Sequence, residues 1–265
     1  MTSDRLGSRT PSPRPDLSLV FPVFNEQANL GPLVESAVAL GPKLGCAFEI
    51  VLVDDGSQDR SAEVLAELRR QEPRVRVVTH ASNRGYGAAL RSGLREARGE
   101  LVFFSDSDLQ FDLAEVENLL AHADRFDIVA GYRSPRRDPW HRRVLAWGWG
   151  VCVRLLFDVR VRDIDCAFKV FQRHVLESIP IASIGAFINT EILVRAQNQG
   201  LRIHQVPVTH RPRQHGRQTG AHPRVILRAV RELASLAREL RDPARRETFD
   251  PRKPPGLDAT RVDPS

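Results

Sequence analysis

Asp106 and Asp108 stand two apart directly after the apolar run Leu101-Val-Phe-Phe, with Gln110 just beyond. Side chains two apart in an extended chain point to the same face. Two hard oxygen donors so placed suit a divalent cation, Mg²⁺ or Mn²⁺, and such a cation can hold a diphosphate. Taken alone, a D-x-D reads more readily as a solvated acidic turn with Asp108 capping the next helix. Two further polar clusters follow apolar runs in the same way. Asn25-Glu26 comes after Asp16–Val23, and Asp54-Asp55-Gly56-Ser57 after Phe48–Val53.

The elements that must position these residues alternate in type. A first strand spans Asp16–Val23 and is interrupted by Pro22; a helical pattern follows through Leu30, Leu33, Val34 and Val38. Phe48–Val53 is a second buried strand, Val75–Thr79 a third, and Asn83-Arg-Gly-Tyr-Gly leads into a helix before the strand that ends at the aspartates. Such alternation predicts an open, mostly parallel α/β sheet with helices on both faces. Sheets of this kind bind ligands at the carboxyl ends of their strands, where all three polar clusters fall.

A second, more mixed half is expected beyond Gly131-Tyr132-Arg133. It holds the basic connection SPRRDPWHRR, the apolar segment Val144–Phe157, strands over Val161–Phe171 and Arg202–Val208, and a helix around Ile188–Gln199 containing Glu191. The basic loop His204–Gly220 and an amphipathic helix from about Pro223 to Leu240 close the order. Residues 1–15 and 241–265 are polar and Pro-rich and read as disordered tails around one domain, with a first half 16–131 and a second half 132–240.

Composition narrows the partners. The 265 residues carry 42% hydrophobic and 27% charged residues, ordinary for a soluble globular protein. No apolar run approaches the roughly 18 residues of a spanning helix, and the polar N-terminus has no secretory signal character. Cys46, Cys152 and Cys166 are far apart, which fits a reducing cytoplasm and neither a disulfide framework nor a zinc site. The formal charge of +6, mostly arginine, admits nucleic acid, an anionic membrane surface or phosphorylated ligands. Gly85-Tyr-Gly87 lacks the third glycine of a dinucleotide fingerprint, and there is no phosphate loop of the G-x-x-x-x-G-K type.

Taken together and in order, FPVFNE, EIVLVDDGSQDRS, NRGYGAALRSGL and FFSDSDLQ resemble the nucleotide-sugar domain of family 2 glycosyltransferases. The likeness continues through GYR, an Arg-Arg pair and RDIDCAFKVFQR, and there is similar to the polyprenyl-phosphate, dolichyl-phosphate mannose synthase-like branch. It covers roughly Leu17 to Arg217. The resemblance implies a GT-A (Rossmann-like) fold and inverting transfer from a UDP- or GDP-sugar to a polyprenyl phosphate at the cytoplasmic membrane face, with a divalent cation on Asp106 and Asp108. It implies donor contacts at Pro22, Asn25, Glu26, Asp54, Asp55, Gly85, Gln110 and Arg133, and phosphate or acceptor contacts at Arg142, Arg143, Lys169, Glu191 and, second in rank, Arg217. Arginine forks suit phosphate oxygens. Asp165 is either the general base toward a hydroxyl acceptor or, toward a phosphate that is already an anion, an orienting group.

Two features depart from the family pattern. Ser107 replaces a common alanine, and the C-terminal membrane anchor of many relatives is not found in these residues. Trp140, Trp147 and Trp149 beside Arg136, Arg137, Arg142 and Arg143 fit either an interfacial helix, giving peripheral membrane contact, or a helix packed under the sheet. Two rivals remain at this level: a same-fold transferase with a soluble or glycolipid hydroxyl acceptor, and a non-catalytic basic module for nucleic acid or membrane. No recognised nucleic-acid motif supports the latter.

Overall fold

The computed structural model describes residues 14–135, 140–213 and 223–241. Its seven strands are β1 Leu17–Val23, β2 Phe48–Asp54, β3 Val75–Thr79, β4 Leu101–Ser105, β5 Ile128–Arg133, β6 Phe168–Gln172 and β7 Ile203–Val208. They form one sheet in the order β3-β2-β1-β4-β6-β5-β7. The helices are α1 Leu30–Val38, α2 Gly41–Leu44, α3 Ser61–Gln71, α4 Tyr86–Glu96, α5 Val116–Leu120, α6 Trp140–Phe157, α7 Arg173–Ser178, α8 Ile188–Asn198 and α9 Pro223–Arg241, with a 3₁₀ turn at Leu113–Glu115 before α5.

Every residue of β1 and β2 is buried, as a strand covered on both faces requires. The chain steps outward from β1 through β2 to β3, then returns across the sheet to β4 on the other side of β1. Right-handed crossovers therefore put α1 and α3 on one face and α4 on the other. Accordingly, α1 packs against α3, while α4 lies on β1 and β2. The reversal of direction at β1 opens a crevice between the carboxyl ends of β1 and β4.

Beyond β4 the sheet turns mixed: β6 is antiparallel to both β4 and β5, and β5 pairs parallel with β7. Aromatic packing joins the halves. Phe103 meets Phe168 edge-on at 4.7 Å between centroids, and Phe104 stacks on Phe171 at 5.8 Å. All four rings are fully buried, each stabilising the fold by about 2–3 kcal/mol.

Two local expectations are corrected. β1 runs through Pro22, which keeps register with Val53 of β2. The pairing of β1 with β4 ends at Val20–Phe104, so the missing N–H of Pro22 faces no ladder on that side. Its carbonyl instead accepts the Ser107 hydroxyl at 2.9 Å. The strand expected over Val161–Phe171 begins only at Phe168; residues 161–167 turn, because their carbonyls are gathered by the Lys169 ammonium.

The three cysteines are free. Among the described residues no helix is long and apolar enough to cross a membrane. The expected tails lie outside the described residues, apart from Arg14, Pro15 and Arg241.

Candidate active site

The crevice outside β1, β2 and β4 is built by loops whose polar side chains first satisfy one another. After β1, Asn25 adopts a positive φ of 57° and its side chain accepts the amides of Gln58 (2.7 Å) and Asp59 (3.3 Å). After β2, Asp54 accepts the Ser57 amide at 2.9 Å. Gly56, at φ 70°, passes so close to Ser82 that a Cβ would sit 2.5 Å from its carbonyl carbon. Asp55 is fully engaged: it accepts the amides of Arg84 (2.9 Å) and Gly85 (2.8 Å) and pairs with His80 at 2.7 Å. The other His80 nitrogen meets Ser92 on α4 at 2.9 Å. Asp55 thus shapes the 80–85 loop. Gly85, at φ 102°, is pressed against the Ile184 carbonyl, which also accepts the Gly87 amide at 3.0 Å.

β4 ends at Ser105, so Asp106 and Asp108 lie on a bend and not on an extended strand. Asp108 accepts the Gln110 amide at 3.2 Å and Leu109 takes φ 58°. The cap of the following 3₁₀ turn is Asp112, which accepts the Ala114 amide, and not Asp108. Despite the bend the two carboxyls converge. Burial, then repulsion from Asp108, holds the Asp106 carboxyl up at about 7. Burial also raises Asp108, against the opposing Gln110 amide and Arg213 charge. Asp106 Oδ1 and the Tyr86 hydroxyl are both buried and meet no hydrogen-bond partner at good geometry, although the two side chains lie close enough to act on each other. Burial and the neighbouring Asp106 raise Tyr86 well above the usual phenol range.

Arg213, from the segment after β7, closes the crevice. Its guanidinium bonds Glu26 and reaches Asp108 at 3.4 Å. Glu26 is buried and raised by desolvation, which outweighs Arg213 and the Asn29 amide.

On the acceptor side, Arg133 at the end of β5 forms a fork with Asp163, at 2.7 Å and 2.8 Å. Lys169, buried in β6, donates to the carbonyls of Ile164 and Cys166 and to Asn189 at 3.1 Å. Both cations bear on Asp106, while each is anchored by protein groups. Burial lowers Lys169 and pushes the Cys166 thiol up to about 12. Asp165 is exposed on the turn that Lys169 organises.

Gln110 donates its amide to the Arg211 carbonyl at 3.0 Å. Glu191 is buried, accepting the Ser183 amide at 2.8 Å and the Arg195 guanidinium at 2.9 Å, so it fastens the 182–184 loop to α8. Arg142 and Arg143 lie in α6 with side chains outside the described residues, and Arg217 lies outside them altogether. Sequence reasoning missed Asp163, His80, Tyr86 and Arg213. The only signal for Arg213 was the run of arginines in the loop His204–Gly220.

Comparison with known proteins agrees with this geometry. The family model described as Glycosyl transferase family 2 matches residues 18–179. Undecaprenyl-phosphate 4-deoxy-4-formamido-L-arabinose transferase of Edwardsiella ictaluri is 34% identical over 203 residues, covering 76% of this chain and 61% of that protein. Dodecaprenyl-phosphate galacturonate synthase of Rhizobium johnstonii is 29% identical over 215 residues, covering 79% and 63%. The chain thus matches under two thirds of the length of these curated relatives. Glucosyl-3-phosphoglycerate synthase from Mycobacterium tuberculosis, solved with Mn²⁺, uridine diphosphate and glucosyl-3-phosphoglycerate, superposes with a TM-score of 0.59 at 21% identity, covering 86% of this chain and 77% of that one. The fold is GT-A, an open, mostly parallel sheet with a mixed second half.

Proposed function

This chain belongs to glycosyl transferase family 2, and on that premise we propose that it moves a sugar, with inversion, from a nucleoside diphosphate sugar to a polyprenyl phosphate, assisted by a divalent cation. The observation that carries the reading is the buried pair Asp106 and Asp108 at the crevice, with one carboxyl oxygen left without a partner. Uncompensated buried carboxylates are costly unless a ligand completes them.

The residues fit a hard cation. Among the described residues no third His, Cys, Asp or Glu joins the pair. That suits Mg²⁺ or Mn²⁺, which take one or two carboxylates and fill the remaining positions with water and substrate phosphates. When bound, the cation would neutralise charge on the departing diphosphate.

The chain's own groups supply the rest. An acceptor phosphate oxygen attacks the anomeric carbon as the bond to the diphosphate oxygen breaks, and the nucleoside diphosphate leaves. Arg133, held by Asp163 and acting on the Asp106 carboxyl, would add positive charge beside the reacting centre. Because a phosphate acceptor is already an anion, Asp165 orients it and takes no proton. The names of the curated relatives support the acceptor class. Membrane approach is supported by α6, which exposes Val144, Trp147 (71%), Leu155 (81%) and Leu156. A non-catalytic basic module is disfavoured, since arginines 133, 195, 211 and 213 are paired with carboxylates.

The test offers undecaprenyl phosphate in detergent micelles, with a panel of UDP- and GDP-sugars and Mn²⁺, and detects the glycosylated lipid phosphate by mass spectrometry. A product with one donor, lost in Asp108→Ala, is expected. Transfer only to hydroxyl-bearing lipids, or to none, rejects the acceptor assignment.

A further inference from the structure

We infer that Arg213 is an exchangeable counter-cation: it holds Asp108 while no ligand is present, yields that carboxylate to the divalent cation, and then engages the diphosphate. The inference rests on the proposed reading of the crevice as a cation-assisted nucleotide-sugar site.

The chain delivers Arg213 to this place by design of the preceding residues. The Thr209 amide donates to Glu115 at 2.7 Å. Phe111 and His210 form an antiparallel bridge, and the Arg211 amide donates to the Gln110 carbonyl at 2.7 Å. The Arg211 guanidinium then pairs with Asp112 at 2.6 Å. Residues 209–211 are therefore stapled along 110–112, next to the aspartates, and the chain emerges at the crevice two residues later. There Arg213, with its side chain 16% exposed, bridges the loop after β1 and the bend after β4 through Glu26 and Asp108.

Of the three cations that the described residues bring to the carboxyl cluster, Arg213 is the one placed to exchange. Lys169 is tied by Ile164, Cys166 and Asn189, and Arg133 by both oxygens of Asp163. The contact from Arg213 to Asp108 is long, at 3.4 Å, and falls on Oδ2, the oxygen that the Gln110 amide leaves open. A dication on Asp108 would face the guanidinium at close range, and like charges in a partly buried site repel strongly. Displaced from Asp108 and still held by Glu26, the planar fork would face the diphosphate that arrives with the cation, the geometry for which guanidinium is suited.

Two affinities of the full chain, read separately, test this. Mn²⁺ alone is titrated by electron paramagnetic resonance; UDP and GDP are titrated calorimetrically at saturating Mn²⁺. In Arg213→Gln, Mn²⁺ alone should bind about tenfold tighter because its competitor is gone, and the nucleoside diphosphate about tenfold weaker because a phosphate contact is lost, a coupling of ordinary size. Arg213→Lys should fall between. Misfolding cannot move the two affinities in opposite directions, and melting curves check that the variants fold. If both affinities weaken together, or Mn²⁺ affinity is unchanged, Arg213 is a structural strut and the inference falls alone. If the wild type binds neither Mn²⁺ nor nucleotide, the reading of the site falls with it.

Discussion

Buried carboxylates stand at both ends of strands β1 and β2, and the two ends are finished differently. At the amino end, Glu49 is 6% exposed and both its oxygens are used. They accept the Ser18 hydroxyl and the Arg98 amide, each at 2.6 Å, and the Arg76 guanidinium at 3.1 Å. Ser18 in turn accepts the Gly99 amide at 2.8 Å. At the carboxyl end, about 16 Å away along β2 by strand rise, Asp106 keeps a buried oxygen with no partner and a proton affinity raised to about 7. On the proposed reading, the same chemistry is closed by the protein at one end and completed by a ligand at the other. A buried charge with protein partners locks strands together; one without them weakens the ligand-free fold and gains its partner on binding.

Four substitutions separate the ends. The largest effect should come from Asp108→Ala, with turnover lower by about a thousandfold, or roughly 4 kcal/mol of transition-state stabilisation. Its melting temperature should be unchanged or slightly higher; a clear fall would make Asp108 structural, like Glu49. Glu49→Ala should cost about 2–3 kcal/mol in urea unfolding, discounted because Arg76 remains partly exposed. Nucleotide affinity of its folded fraction should match the wild type, and a loss there would erase the contrast.

Third comes pH. The Asp106 carboxyl is raised from the ordinary value near 3.8 to about 7 on folding, so between those values the folded chain binds more protons than the unfolded one. Stability conferred by this group therefore falls as pH rises through that window. Asp106→Asn should gain stability relative to the wild type by on the order of 1 kcal/mol between pH 5 and 8, and saturating Mn²⁺ should cancel the trend in the wild type. A difference that does not vary with pH would mean that Asp106 is solvated. The smallest effect is expected for Asp165→Asn, within about threefold of wild-type turnover on a phosphate acceptor. Its abolition would restore a proton-transfer role and a hydroxyl acceptor.

Legibility in the sequence followed locality. Predominantly apolar runs followed by polar clusters announced β1, β2 and β4, because strand burial and termination are written in neighbouring residues. Pro22 read as a break, since only the strand order shows that its side of β1 has no ladder to lose. The turn at 161–167 read as strand because its alternation is real while its carbonyls are claimed by Lys169, whose ammonium turns back across them. Glu191 read as an acceptor contact because its actual partners, the loop amides at 182 and 183 and the Arg195 guanidinium, are not announced by neighbouring residues. Asp163 was hidden beside the better-matched Asp165, and Arg213 among three arginines of one loop. In each case the deciding contact is set by topology and not by spacing.

The stapling of residues 209–211 onto 110–112 also has a consequence in time. Gln110 and Arg211 are 101 positions apart, and Glu26 and Arg213 are 187 apart. At a synthesis rate of about 5–20 residues per second, the ribosome finishes the strand bearing the aspartates several seconds before it makes the arginine that covers them. During that interval the growing polypeptide holds a carboxylate cluster it cannot complete. The crevice is therefore completed late, with only α9 still to be made, and a nascent chain truncated before residue 213 leaves it open.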